Sequence, residues 1–202
     1  MNAPVSMSAP RDPAASLSHA RAQWGGSDDL WVFGYASLIW RPEFDAIEQR
    51  PARVHGFHRA MKMHSRVNRG TPQCPGLVFA LLPGGSCHGV AFRIERDRVE
   101  EELPRLWARE MPNAVYDARW LRCRTPKGAV RALGFTLSRD SPNYTGTLGD
   151  AQLLAILRSA SGRYGSTLEY LIETARGLAA RGIRDREIAR LVALARRHAL
   201  TR

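Results

Sequence analysis

Apolar residues fall into short runs in the first two thirds of this chain and into helical stripes in the last third. Trp31-Val32-Phe33 is a compact apolar run that predicts a buried strand. It ends in Gly34-Tyr35-Ala36-Ser37, small or hydroxyl-bearing residues that can turn tightly, before Leu38-Ile39-Trp40 becomes apolar again. Residues 54–65 and the nearly all-apolar residues 77–82 predict two more strands. Pro83-Gly84-Gly85 predicts a turn, and residues 88–94 another strand. From about Asp97, the apolar positions Val99, Leu103, Leu106 and Trp107 recur at helical spacing, and Pro104 inside them predicts a kink or a restart. Residues 114–124 and 129–137 predict a strand pair around Pro126-Lys127-Gly128.

After the polar loop Ser141-Pro142-Asn143-Tyr144-Thr145-Gly146, three helices are expected. The first carries Leu153, Leu154 and Leu157. The second opens on Ser166 and Glu169 in capping-box spacing and continues with Leu168, Leu171, Ile172, Ala175 and Leu178. Gly182 stops it, and Asp185 can cap the last, which carries Ile188, Leu191, Val192 and Ala195. Strands first and helices last argue for an α+β fold around a mixed or antiparallel sheet.

Length and composition narrow the class. The chain has 202 residues, 44% hydrophobic and 24% charged, which suits one domain. Residues 1–27 hold few large apolar side chains and much Ala, Ser and Pro. They are expected to be a disordered tail, with an organelle-targeting segment as the alternative, and residues 28–202 the single domain. No apolar run is long enough to span a membrane. Cys74, Cys87 and Cys123 are widely spaced and form no CxxC pair, so neither a disulfide framework nor a metal site is expected, and a reducing cytoplasm fits. The net charge of +11 raises nucleic acid as a partner, but Arg and Lys are spread through every segment with no long basic run, so no nucleic-acid partner is expected. A basic surface would still steer an anionic small molecule toward a cleft.

Two places carry candidate chemistry. A strand that ends in a turn such as Gly34-Tyr35-Ala36-Ser37 leaves backbone N–H groups thinly covered, which suits gripping an anionic or carbonyl oxygen. Glu110 lies three residues after Trp107 and four after Leu106, so it shares their apolar face. A carboxylate pushed toward the core is desolvated, and its pKa rises toward the range useful to a general base or acid. If the helix frays before Met111-Pro112, Glu110 instead reaches water. Glu100, Glu101 and Glu102 at the helix start are expected to be solvated.

These segments together resemble the ChaC family of γ-glutamylcyclotransferases. Phe33-Gly34-Tyr35-Ala36-Ser37-Leu38-Ile39-Trp40 is similar to the family's FGYGSLIW substrate loop, with Ala36 in place of Gly. Arg69-Gly70-Thr71-Pro72 with Pro75-Gly76 resembles RGTPxxPG, and Gly89-Val90-Ala91-Phe92-Arg93 resembles GVAYR. Leu106-Trp107-Ala108-Arg109-Glu110-Met111 resembles the LWxREM segment that carries the catalytic glutamate. Asn143-Tyr144-Thr145-Gly146 and the run from Gly162 to Leu171 resemble the later loop and the GxxGxxxxYL helix. The resemblance covers about residues 31–198. It implies a small β-barrel flanked by helices, no cofactor, and cleavage of a γ-glutamyl peptide, glutathione foremost. It further implies Glu110 as proton shuttle, with Tyr35, Ala36, Ser37 and Leu38 gripping the substrate. Tyr144 is a hydroxyl contact, and Arg69 is either structural or a partner for a substrate carboxylate. The alternatives are a cyclotransferase for other γ-glutamyl amides or amines, and a non-catalytic basic binding module. Ala36 is harmless if its φ is negative and costs roughly 1 kcal/mol or more if positive.

Overall fold

The expected strands form, and they close on themselves. The structure is a computed structural model and describes residues 12–112 and 115–201. β1 (Leu30–Gly34) pairs antiparallel with β3 (Gly76–Ile94), which pairs antiparallel with β2 (Glu48–Ser65). β2 pairs with β4 (Asp117–Thr125), β4 with β5 (Gly128–Thr136), and β5 returns to β1 in parallel, giving a closed barrel in the order β1-β3-β2-β4-β5. Phe33, Phe79, Phe92 and Phe135 fill the core with Leu30, Leu77 and Leu81, all essentially inaccessible. Closure leaves no long unpaired edge among these strands.

Five sequence expectations are corrected. Pro83-Gly84-Gly85 is not a hairpin turn. The chain runs through it as one strand, with residues on both sides paired to β2, and the register slips between His55 and Phe57. Gly56 (φ 82°), Gly84 (φ 101°) and Gly85 (φ 72°) all adopt left-handed backbone there, so the glycines bend two long strands around the barrel. Pro104 does not restart its helix: α3 is continuous over Arg96–Glu110. Glu102 is not solvated but 1% exposed, with Arg98 at 3.2 Å one turn back. The strand expected from residue 114 begins at Asp117, and Ala114 lies outside the described residues.

The fifth correction is the tail. Residues 1–11 lie outside the described residues, but Pro13–Trp24 form helix α1. Asp12 caps it by accepting the Ala14 N–H at 2.8 Å, Pro13 opens it, and Gly25 at φ 83° closes it. Ala20 is buried, Leu17 and Trp24 pack on the core, and the Trp107 indole donates to the Pro13 carbonyl at 3.0 Å. Its sparse apolar content hides this helix from periodicity. The cap and stop residues were the readable signals.

The later helices follow the sequence pattern. α2 (Ser37–Trp40) is a single turn after β1. α4 (Asp150–Ser159), α5 (Thr167–Ala179) and α6 (Arg186–Arg197) follow the barrel. Ser166 and Glu169 form the expected capping box, with Ser166 N–H to Glu169 at 2.6 Å and Glu169 N–H to Ser166 at 3.1 Å. Asp185 caps α6 through the Ile188 N–H at 3.0 Å. α5 is fastened to β3 along one face. Thr167 Oγ1 accepts the Leu77 N–H at 3.1 Å, and the Tyr170 hydroxyl accepts the Phe79 N–H at 3.2 Å. One turn on, Thr174 accepts the Trp40 indole at 3.2 Å, which ties α5 to α2. No helix among the described residues is long and apolar enough to cross a membrane, and Cys74, Cys87 and Cys123 are free thiols.

Candidate active site

Glu110 is the last residue of α3. The Met111 N–H donates to the Trp107 carbonyl at 2.8 Å, so the final turn is closed and Glu110 is held rather than frayed. Its side chain is 14% exposed. Burial raises its pKa above the ordinary carboxylate value, and the charge of Arg109 opposes that rise. Arg109 Nε lies 3.1 Å from Glu110, while its Nη1 lies 3.1 Å from Glu43 and donates to the Pro42 carbonyl at 3.0 Å. One guanidinium divided between two carboxylates and a carbonyl compensates Glu110 only in part.

Three buried tyrosines feel the charge of this carboxylate. Tyr35 stands just beyond β1, Tyr116 just before β4, and Tyr170 on α5. Burial is the main cause that raises each phenol above its ordinary pKa. The Glu110 charge adds to each, and the Tyr35 and Tyr116 phenols also act on one another. All three therefore stay protonated at physiological pH, each with a hydroxyl able to donate.

The turn after β1 completes the arrangement. A Cβ on Gly34 would come within 2.7 Å of the Phe92 ring, so the chain passes there only as glycine. Ala36 has φ −142°, which any residue adopts, so replacing the family's Gly introduces no left-handed strain. Ala36 stands at the start of α2 and supplies no side-chain cap, and Ser37 opens the helix half-buried. Leu38 is buried beneath it.

Arg69 lies next to this group. Its guanidinium stands over the Tyr170 ring, 5.2 Å from the centroid, and donates to the Tyr164 carbonyl. Its backbone is fixed by Ser65 at 3.0 Å and by the Thr167 hydroxyl at 3.1 Å. Arg69 is 9% exposed, burial lowers its pKa, and no carboxylate lies within 4 Å among the described residues. A desolvated cation without an ion-pair partner is a receptive site for a carboxylate. Tyr144 sits apart. It bridges to Met63 and packs with Ala60, Leu82 and Leu137, a cluster that Tyr116 also touches. No hydrogen bond joins it to Glu110 or to the other phenols among the described residues.

Periodicity placed Glu110 and the turn but missed Tyr116, which lies in the irregular link between α3 and β4. In the sequence Tyr170 stands out only as part of the GxxGxxxxYL motif, although it shares a helix face with Thr167 and Thr174. Two open clefts elsewhere contain none of these residues. One of about 290 Å³ is lined by Val54, His55, Trp120 and Arg122, and one of about 500 Å³ by Arg53, His88, Arg124 and Arg181.

The geometry can be set beside known proteins. Glutathione-specific γ-glutamylcyclotransferase of Escherichia coli K12 is 32% identical over 173 residues, covering 85% of this chain and 75% of the relative. The human glutathione-specific γ-glutamylcyclotransferase 1 is 30% identical over 177 residues, covering 83% and 80%. A crystal structure of a yeast γ-glutamylcyclotransferase specific to glutathione superposes with a TM-score of 0.75 at 21% identity, covering 85% of this chain and 97% of that one, so the fold is shared. Residues 30–198 match the ChaC-like protein family from β1 to the end of α6, and the chain belongs to that family.

Proposed function

We propose that this protein is a γ-glutamylcyclotransferase that converts glutathione into 5-oxoproline and Cys-Gly. The α-amine of the γ-glutamyl group attacks its own γ-carbonyl. The new C–N bond closes the five-membered ring, the peptide C–N bond to cysteine breaks, and no water is consumed. An ammonium cannot attack, so a base removes one proton, and the departing amine then takes one up. One carboxylate with a raised pKa serves both steps in turn, and Glu110 is that group. The nucleophile is already tethered, so the protein need only fold the substrate into the attacking conformer and stabilise the oxyanion. Backbone N–H groups of Tyr35, Ala36, Ser37 and Leu38 supply the stabilisation. The phenols of Tyr35, Tyr116 and Tyr170 exclude water and orient the γ-glutamyl end. The chemistry needs no cofactor.

The observation that carries this reading is a half-compensated, desolvated Glu110 among three protonated phenols, in a chain whose relatives bear the glutathione-specific name. Arg69 supports glutathione over neutral γ-glutamyl amides, because it offers the glycine carboxylate a half-desolvated cation that no carboxylate approaches within 4 Å among the described residues. Free thiols fit a reducing, cytoplasmic setting. Incubating the protein with glutathione should release 5-oxoproline and Cys-Gly in equal amounts, with γ-glutamylcysteine and a neutral γ-glutamyl amide turned over more slowly. Equal rates for all three would favour the broad cyclotransferase, and no product from any would leave only a binding module.

A further inference from the structure

Arg59 lies on β2 with its side chain 1% exposed. A guanidinium this deep requires partners for its donors. Nε donates to the Tyr35 carbonyl at 2.5 Å, Nη1 to Asp185 at 2.7 Å, and Nη2 to the His88 carbonyl. Asp185 is itself fixed, because its other oxygen caps α6 through the Ile188 N–H at 3.0 Å. Arg59 therefore staples the barrel, the first turn of α6 and the turn after β1 to one another.

The Tyr35 carbonyl is one end of a peptide unit whose other end is the Ala36 N–H. A trans peptide is planar, with its C=O and N–H pointing in opposite directions. A cation that holds the oxygen therefore sets the direction of the hydrogen. It also polarises the amide, which makes that N–H a stronger donor. Ala36 is 6% exposed, and its N–H has no acceptor among the described residues. Buried amide hydrogens without an acceptor are rare and costly. This one is poised for an acceptor that the chain does not itself provide.

Resting on the cyclotransferase reading and deepening it, we infer that Arg59 is a positioning residue that aims and polarises the Ala36 N–H toward the oxyanion formed at the γ-carbonyl. Asp185 holds Arg59 in that attitude. A merely structural ion pair would lower stability and leave the turnover of each folded molecule unchanged.

Arg59→Lys keeps the charge but cannot span three acceptors. Its kcat should fall by about 10²–10³-fold, the cost of losing an oxyanion donor, while KM stays within about threefold. In the wild type, the Ala36 amide proton should move downfield when 5-oxoproline is added, because the ring carbonyl occupies the oxyanion position. Arg59→Lys should lose that response. If Arg59→Lys does not fold, the wild-type titration decides alone. The inference is overturned by a folded Arg59→Lys with kcat within about twofold of wild type, or by an Ala36 amide that stays fixed while its neighbours respond. Either result leaves glutathione cleavage by the wild type standing. A wild type that releases no 5-oxoproline from glutathione would remove the cyclotransferase reading, and the oxyanion role with it.

Discussion

Glu110 and the turn after β1 are made in different ways, although the Glu110 charge reaches the Tyr35 phenol. Glu110 works through a side chain. Its setting comes from the helix that carries it, the face it shares with Leu106 and Trp107, and the divided attention of Arg109. The turn works through its backbone. Its own side chains contribute little, and its aim depends on Gly34 yielding space to Phe92 and on Arg59 gripping the Tyr35 carbonyl from across the barrel. The acid wall is a local construction tuned by desolvation. The backbone wall is a non-local one tuned by geometry. Side chains on the first should therefore be sensitive to charge, and the second to the shape and reach of residues far away in sequence.

The largest effect should come from the acid wall. Glu110→Gln keeps shape and hydrogen-bonding capacity but removes the base, so kcat should drop by roughly 10²–10⁴-fold with the far-UV spectrum unchanged. Because the Glu110 pKa is raised, the wild-type kcat/KM should climb with pH along a limb centred above the ordinary carboxylate value. That limb should vanish in the variant. A Gln variant with near-normal turnover would move the acid–base role elsewhere and dissolve the contrast between the two walls.

The same contrast explains what could be read from the sequence. Glu110 was legible because a helix repeats every 3.6 residues, so a carboxylate on an apolar stripe announces itself. Trp31-Val32-Phe33, the Ser166–Glu169 box and the Asp185 cap were legible for similar reasons, each being a local rule satisfied by neighbours. Arg59 was not. It lies beside Ala60 and Met61 on a strand, and nothing near it in sequence tells that it reaches Tyr35, 24 residues back, and Asp185, 126 residues on. Pro83-Gly84-Gly85 has the residues of a hairpin turn, but long-range pairing with β2 makes it a bend within one strand. Glu102 looked like part of a solvated acidic run, and its neighbour Arg98 is what makes burial tolerable. Helix α1 failed for a third reason: it docks through a few residues, too few for a stripe.

That helix offers a middle-sized test. α1 covers the Trp107 side of α3, the helix that delivers Glu110, whereas Asp185 and Arg59 hold the turn from elsewhere. Deleting residues 1–27 removes Leu17, Ala20 and Trp24 and should cost about 2 kcal/mol, a fall of roughly 4–8 °C in Tm for a chain of this size. Loosening of α3 should lower kcat more than it raises KM. Loss of substrate affinity with kcat preserved would mean that the deletion reached the backbone wall instead.

The smallest effect concerns stability at the acid wall, and its sign is fixed by linkage. Burial raises the folded pKa of Glu110 above its unfolded value, so the folded state binds the proton more tightly than the unfolded chain does. The stabilisation from that proton is complete below the unfolded pKa, about 4.3, and is lost as pH rises through the folded value. At neutral pH the wild type therefore carries the cost of a desolvated carboxylate, and Glu110→Gln does not. The variant, though nearly inactive, should melt higher than wild type at pH 7–8, by about 2–4 °C for each kcal/mol of that cost. The gap should close toward pH 4, where Glu110 is protonated and resembles the amide. A variant that melts lower at neutral pH, with the gap closing in acid, would show that Arg109 stabilises the carboxylate more than burial penalises it. Glu110 would then belong to an ordinary ion pair, and the acid wall would depend on partner geometry just as the backbone wall does.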